Sequence, residues 1–339
     1  MIVIDNFISY QKIIILINYK FLERIIKEVI FRKSESKMIT YYKIANLIVQ
    51  IKHNNDELFR HVHDELKYYK SKELQIGDIL IEINAGNDDF SIPKKAIIKS
   101  GTKMVHNSKD YILKFNEALI VADFKNKRIK VNYMIVNPEV LNLLKWTIKR
   151  LIINTAEESG FIYIHGAALR YKGKNIIFSG DSCSGKSSCL LRLYRAGAKL
   201  ISDDNILVKD MQLIPFCLKT TINQDLAERF NIENINLKFD ARDNLMKENT
   251  KGADILIFPK IWNHKLSEII SVTKAEAVEE LKKIYFREIR IMDLPALNKD
   301  ILFKNYKKII EKTKCFTLYA GNDEKEVKRT LLQFLDNLE

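Results

Sequence analysis

Residues 180–187 read Gly180-Asp181-Ser182-Cys183-Ser184-Gly185-Lys186-Ser187. They fit the pattern G-x-x-x-x-G-K-[ST] at every fixed position. In this pattern the glycines let backbone N–H groups surround a phosphate, and the N-terminus of the following helix directs partial positive charge at the same anion. Lys186 supplies a mobile charge for the β- and γ-phosphates, and Ser187, followed by Ser188, offers the expected Mg²⁺ ligand. The segment therefore predicts a P-loop for a nucleoside triphosphate, with ATP and Mg²⁺ as cofactors.

The sequence on both sides of this loop has the pattern of a sheet with flanking helices. A hairpin with a turn at 172–174 is expected to lead into the loop, Gly197 is placed to end the helix after it, and Pro259 to end a later strand. The expected elements are strands at 161–164, 167–169, 175–179, 198–202, 254–259 and 315–319, and helices at 187–196 and 324–338.

Two adjacent aspartates, Asp203 and Asp204, follow the strand expected at 198–202. They begin seventeen positions after Lys186, which leaves room for one helix and one strand, close to the minimum for a parallel βαβ crossover. Both carboxylates are therefore expected beside the loop, where one can bind Mg²⁺ and the other can accept a proton from an attacking hydroxyl. Such a pair can also simply cap a turn, but its spacing from the loop favours a functional role.

His165, followed by Gly166, lies on the strand expected before the loop. This position could bring the imidazole near the γ-phosphate. A single histidine at a strand end more often serves as a structural hydrogen-bonding group, so both roles stay open on this pattern alone.

Composition excludes several classes of protein. The 339 residues are 47% hydrophobic and 29% charged, which is ordinary for a folded chain, and the net charge of +13 is spread along the sequence without an arginine-rich arm or a zinc-finger spacing. Nucleic acid is therefore not an expected partner. The apolar run 13–17 is too short to cross a bilayer, so no transmembrane segment is expected. Four cysteines without a C-x-x-C pair indicate reduced thiols and a cytoplasmic location.

Two domains are expected, at residues 1–150 and 151–339, and the overall class is α/β. The first has no chemical motif and is expected to be α+β, ending in a connecting helix at 138–156. Its other expected elements are helices at 21–32 and 55–69, a strand region at 40–51 and short strands across 76–136. The second domain carries the loop.

The order of features from His165-Gly166 through the loop to Asp203-Asp204 resembles the catalytic domain of HPr serine kinase/phosphorylase and its wider relatives, which are similar in fold to phosphoenolpyruvate carboxykinase. The resemblance covers roughly residues 155–338, and its specific motifs lie within 165–204. It implies a mixed sheet with flanking helices and ATP-dependent phosphorylation of a serine hydroxyl. It also implies that Asp203 is the general base, that Asp204 binds the metal and that His165 lies beside the transferred phosphate.

The chain departs from this family after the acidic pair. HPr kinases carry a glycine-rich Arg-Gly segment that supplies a metal-binding glutamate and substrate contacts, and this sequence lacks it. Relatives without the segment include kinases of a serine in ribosomally made precursor peptides and kinases of small hydroxyl compounds. The resemblance therefore implies a peptide, protein or small hydroxyl substrate. Lys219, Arg287 and Arg290 are candidates for neutralising phosphate charge.

Other functions stay open on the sequence. Phosphoryl transfer to a carboxylate or an enolate has no additional metal-binding histidine or lysine in its favour. A non-catalytic ATP-binding regulator or assembly protein would use the same loop, but His165 and both aspartates favour chemistry. The sequence does not determine the acceptor, a phosphoryl donor other than ATP, any reverse phosphorylase activity, assembly into a homo-oligomer, or the role of residues 1–150.

Overall fold

A computed structural model describes residues 37–54, 56–72, 76–86, 97–99, 103–106, 110–114, 118–216, 250–292 and 299–338. They form two compact units. One contains the described part of Met1–Lys43 together with Ile48–Leu151, and the other contains Ile44–Leu47 together with Ile152–Glu339. The helix expected at 21–32 lies outside the described residues.

The first unit contains a mixed sheet in the order β3-β1-β2-β4-β9-β8-β7-β6-β5. Strands β2, β4 and β9 run parallel to one another, whereas β5 to β9 form a series of antiparallel neighbours. Its elements are β1 Met38–Ile44, β2 Leu47–His53, α1 Glu57–Leu66, a 3₁₀ turn Lys67–Tyr69, β3 Lys70–Ser71, β4 Ile79–Ala85, β5 Ile97–Lys99, β6 Lys103–His106, β7 Asp110–Lys114, β8 Ala118–Asp123 and β9 Arg128–Tyr133.

Local sequence explains several of these elements. The strand region expected at 40–51 is the β1–β2 pair, and the helix expected at 55–69 is α1 with its 3₁₀ extension. Helix α1 begins at Glu57 because the Asp56 carboxylate accepts a hydrogen bond from the Phe59 N–H at 2.8 Å. The expected connecting helix is α2, Pro138–Glu158, and the division between the two units falls within it.

The second unit is built on a mixed sheet in the order β15-β14-β13-β10-β11-β16-β18-β17, with β12 also paired to β10. Strands β11, β16 and β18 are parallel neighbours, and β10 is antiparallel to β11, β12 and β13. The elements are β10 Ile162–Tyr171, β11 Lys174–Ser179, α3 Lys186–Arg195, β12 Lys199–Ser202, β13 Asn205–Lys209, β14 Gln212–Pro215, β15 Thr250–Lys251, β16 Ile255–Ile261, β17 Glu268–Ser271, α4 Lys274–Met292, α5 Lys299–Ile310, β18 Lys314–Ala320 and α6 Glu324–Asn337.

Helices α3 and α6 pack on one face of this sheet around a common apolar core. The core combines side chains of the central strands with those of the two helices: Phe178, Ile257, Leu318, Leu193 and Leu331 are all fully buried. Helix α5 is attached to β10, because the Tyr306 hydroxyl donates a hydrogen bond to the Tyr163 carbonyl at 2.9 Å.

The α/β class with a mixed sheet and flanking helices is confirmed. The expected hairpin before the loop is β10–β11, although the two short strands expected at 161–164 and 167–169 are one continuous strand. The expected end of α3 is also confirmed, since Gly197 has φ +92° and the Ala198 N–H closes the helix on the Leu193 carbonyl at 2.9 Å.

One local expectation was wrong. Strand β16 does not end at Pro259 but continues to Ile261, paired with β18. Strand β11 pairs with β16 only as far as Ile257, so Pro259 has a strand neighbour on one side alone, where a missing N–H is tolerated. The strand after α3, β12, runs in the same direction as β11 and is separated from it by β10, which pairs antiparallel with both.

Candidate functional site

The predicted P-loop connects the end of β11 to the start of α3. Helix α3 begins at Lys186, and the residue before it, Gly185, has φ +101°, a conformation that favours glycine. Gly180 matters for a different reason, because a Cβ atom there would lie 2.6 Å from the Ser184 Oγ and 3.2 Å from the Ser184 Cβ and would force that side chain to shift. The two glycines therefore allow the tight turn and the close approach that place the loop over the N-terminus of α3.

Lys186 is buried and points back into the loop. Its ammonium group donates hydrogen bonds to the carbonyls of Gly180 and Asp181, both at 2.7 Å. Burial lowers the pKa of this ammonium group. Three nearby carboxylates, those of Asp204, Glu288 and Asp203, raise the same pKa but do not offset the effect of burial. The lysine therefore lies between the loop and a group of acids, where an added phosphate would provide a stronger partner than the loop carbonyls.

Asp203 and Asp204 form a tight turn between β12 and β13, both of which pair with β10. The Asn205 N–H donates a hydrogen bond to the Asp203 carbonyl at 2.8 Å, and Asp204 has φ +64°. Such a three-residue turn is rare and strained. The turn gives the two carboxylates different surroundings, because Asp203 is only 5% exposed whereas the Asp204 side chain is 50% exposed.

The His165 ring lies between two acidic residues. Its Nδ1 lies 3.1 Å from the Asp204 carbonyl and 3.4 Å from the Asp204 carboxylate, and its Nε2 lies 3.6 Å from the Glu288 carboxylate. Because a carbonyl oxygen can only accept, the 3.1 Å contact places a proton on Nδ1. The Ser179 hydroxyl donates to the His165 carbonyl at 2.8 Å, so the residue just before the loop is bonded directly to this histidine.

Close packing between the backbones of β10 and β11 brings His165 next to the loop. Strands β10 and β11 pair with Gly166 opposite Ser179, and a Cβ atom on Gly166 would lie 2.4 Å from the Phe178 carbonyl oxygen. Only glycine allows this approach. The Gly166 N–H also donates to the Asp204 carbonyl at 3.3 Å, so β10 positions the histidine, the acidic turn and the loop together.

Sequence reasoning missed Glu288 of helix α4. The helical pattern contained a signal for it, because the buried residues Leu281, Ile284 and Tyr285 place Glu288 on the same face of the helix. Its side chain is only 15% exposed. An acid at an apolar-face position of an amphipathic helix is a recognisable exception, and here it faces His165 and contributes to the surroundings of Lys186.

Of the three basic candidates, the structure describes the side chain of Arg287 alone. Arg287 lies at the loop, since its guanidinium forms a close ion pair with the Asp181 carboxylate, and its side chain is 60% exposed. Lys219 lies outside the described residues. Arg290 belongs to helix α4, but its side chain lies outside the described part of the structure.

The remaining residues of the predicted loop differ in exposure. Ser182 and Cys183 are exposed, whereas Ser187 and Ser188 are half-buried in the first turn of α3. The Ser184 Oγ is buried without a hydrogen-bond partner among the described residues. No group of three histidine, cysteine or acidic side chains within the described ranges is arranged to hold a metal ion by itself. In the same part of the chain, no helix is both long and apolar enough to cross a membrane.

This arrangement joins the predicted phosphate loop to groups that can exchange protons. The loop and Lys186 can hold phosphates, Asp203 can accept a proton in a buried setting, and Asp204 offers a partly exposed carboxylate next to them. His165 and Glu288 can orient each other beside the same position. Groups of these kinds can serve a phosphoryl transfer.

Comparison with known proteins adds little to this geometry. No protein-family model matches the sequence, and no curated protein matches it. Among solved structures, the chain is similar to the Hpr(Ser) kinase/phosphatase from Coxiella burnetii, with 12% sequence identity and a TM-score of 0.24. The match covers 51% of this chain and 95% of that chain. At this TM-score the similarity carries no argument about the site, which therefore depends on its own residues.

The exposed thiol of Cys183 offers a direct test of where a nucleotide binds. Burial raises the pKa of Cys189 and of Cys315 to about 11, so their thiolate fractions are small at neutral pH. Iodoacetamide is therefore expected to modify Cys183 before either of them. Saturating Mg-ATP should slow the modification of Cys183 by about tenfold or more, because the nucleotide covers the loop. Site-resolved mass spectrometry measures the rates, and unchanged labelling of Cys183 with bound ATP would contradict nucleotide binding at this loop.

Proposed function

We propose that this chain is a divergent HPr-kinase-like, ATP-dependent serine kinase that transfers phosphate to a hydroxyl of a peptide, a protein or a small molecule. The observation that carries the proposal is the meeting of three features in one place. These features are the predicted phosphate-binding loop, an aspartate pair and a histidine on the neighbouring strand. The hydrogen bond from Ser179 to His165 connects the loop with the histidine, and both aspartates lie near Lys186 of the loop. A carboxylate beside the loop can hold Mg²⁺, and a second one beside it is then free to accept a proton from an attacking hydroxyl.

The loop would bind the triphosphate of ATP. The loop precedes the N-terminus of α3, and backbone N–H groups and a helix N-terminus both attract anions. Lys186 would exchange its two carbonyl partners for phosphate oxygens, which form stronger charge-assisted hydrogen bonds. Arg287, now paired with Asp181, lies close enough to the loop to contribute a second positive charge.

Ser187 and Asp204 would hold Mg²⁺. Three carboxylates near the loop would repel a triphosphate unless a cation lay between them, so the donor set fits a divalent metal. Mg²⁺ is commonly bound by one or two protein oxygens together with substrate phosphates, which agrees with a site that has no complete metal cage of its own. When bound, the ion would neutralise charge on the phosphates during transfer.

Asp203 would accept the proton of the attacking serine hydroxyl. Its burial keeps it away from bulk water, and its carboxylate is held by a hydrogen bond from the Asp204 N–H at 3.0 Å. His165, with a proton on Nδ1, would stand beside the transferred phosphate, and the Glu288 carboxylate would pair with Nε2 whenever the ring takes up a second proton. Because the residues only position, neutralise and deprotonate, the same site can serve any hydroxyl that reaches Asp203.

The experiment that tests this proposal compares cells that carry the native chain with cells that carry Lys186→Ala. Phosphoproteomics and measurement of phosphorylated small molecules are expected to find at least one phosphoserine or phosphorylated hydroxyl compound that is lost with the variant. The purified native chain should form the same product from Mg-ATP. Identical products in both strains, together with ATP binding by the purified native chain, would instead indicate a non-catalytic nucleotide-binding regulator or assembly protein.

A further inference from the structure

A cleft of about 310 Å³ lies within the second unit, between the loop and the end of β16. It is lined by loop residues 180–184, by residues 258–261 at the end of β16, and by Glu280 of helix α4. Its volume falls within the range of small-molecule sites. None of the acid–base groups assigned above lines it.

The order of the strands separates this cleft from the reacting groups. Strand β11, which enters the loop, has β10 on one side and β16 on the other. His165 lies on β10, and Asp203 and Asp204 lie between two strands that pair with β10. A triphosphate with its γ-phosphate near these groups would therefore extend across the loop toward β16, where the cleft begins.

The walls of the cleft suit a nucleoside. Pro259 lines the cleft together with the loop residues, although most of its own surface is buried. Ile261, two residues further along β16, is 69% exposed at the mouth of the cleft. Together the two side chains form an apolar surface on which a planar base can pack. An isoleucine this exposed contributes little to the packed core, so its contact with a ligand can be tested by making it polar.

Glu280 supplies the polar wall. Its carboxylate oxygens lie 3.7 Å from the ammonium groups of Lys260 and Lys283 and are partly accessible. A carboxylate only accepts hydrogen bonds, and the ribose of a nucleotide offers two hydroxyl donors. Helix α4 therefore presents Glu280 at the cleft and Glu288 at the reacting end, about 12 Å apart along its axis.

We propose that this cleft binds the nucleoside of the bound triphosphate, with the base against Pro259 and Ile261 and the ribose hydroxyls near Glu280. The proposal rests on nucleotide binding by the loop, as proposed above, but it does not depend on transfer to an acceptor. The cleft would then be the part of the chain that distinguishes a nucleoside triphosphate from inorganic triphosphate.

The test compares the affinities of the full chain for Mg-ATP and Mg-tripolyphosphate by calorimetry, using Ile261→Ser and the matched control Ile301→Ser. Ile301 is a 52% exposed isoleucine of α5 that does not line the cleft. The Ile261 variant is expected to bind ATP about tenfold more weakly, with tripolyphosphate affinity unchanged within about twofold. The control should match the native chain for both. Equal losses for both ligands, or no loss for either, would overturn the proposal.

A second variant tests the ribose contact. Glu280→Gln is expected to weaken binding of ATP by about threefold to tenfold but to leave binding of 2′,3′-dideoxy-ATP unchanged, because the latter lacks the hydroxyl donors. Equal effects on the two nucleotides would remove Glu280 from the site. Failure of the native chain to bind either ATP or tripolyphosphate would count against the loop assignment itself, whereas ATP binding through the cleft without product formation would count only against the kinase proposal.

Discussion

Replacement of Asp203 by asparagine is expected to lower kcat for phosphate transfer by about 10²- to 10⁴-fold, while the Kd for Mg-ATP stays within about twofold. Asparagine has nearly the same shape and can still accept the hydrogen bond from the Asp204 N–H, so the turn is retained. Its amide cannot accept a proton from a hydroxyl at neutral pH. Single-turnover transfer to the identified acceptor and nucleotide titration measure the two quantities separately.

Asp210→Asn provides the matched control for this experiment. Asp210 is exposed in the turn between β13 and β14 and has φ +49°, a conformation that asparagine also accepts. The same chemical change at that position should leave kcat and Kd at native values. Native transfer rates in Asp203→Asn would exclude Asp203 as the general base and leave Asp204 as the remaining carboxylate of the pair.

Lys186→Met is expected to weaken Mg-ATP binding by about 10- to 100-fold and to lower kcat/KM by about 10³-fold or more. Methionine fills the space of the lysine stem but has no charge and no donor for the phosphates or for the Gly180 and Asp181 carbonyls. The larger effect on kcat/KM is expected because negative charge shifts among the phosphate oxygens as the transfer proceeds. Calorimetry and steady-state kinetics measure the two effects.

Lys199→Met is the control for this second prediction, because Lys199 is an exposed residue of β12 in the same unit. Thermal melting of both variants separates loss of binding from loss of folding. A folded Lys186→Met protein with native affinity for Mg-ATP would show that the lysine does not bind phosphate and would redirect the search for the nucleotide site.

Much of the second unit could be predicted because its signals are local. These signals are an apolar run of five or six residues, the loop glycines and a helix that ends at Gly197, and each depends only on residues close by in the sequence. The structure contains β11 and α3 with their ends as expected. The loop glycines are required by a positive φ and by a close contact, both of which depend on neighbouring residues.

Pairing between strands could not be predicted in the same way. The residues around Pro259 do not show that the pairing of β16 with β11 ends at Ile257. Proline is tolerated in β16 because only β18 pairs with the strand beyond that point. The position of β10 between β11 and β12 likewise depends on which strands meet after the chain has folded.

The spacing of glycines, lysine, serine and aspartates along the chain was sufficient to predict a phosphate loop and an acidic pair, since these motifs depend on backbone geometry over a few residues. Tertiary structure alone places His165 between Asp204 and Glu288, and Glu288 comes from a helix more than a hundred residues away. It also puts the cleft at the end of β16 on the side of the loop away from these groups. Contacts of this range are set by the order of strands in the sheet and by the packing of α4, which no local pattern encodes.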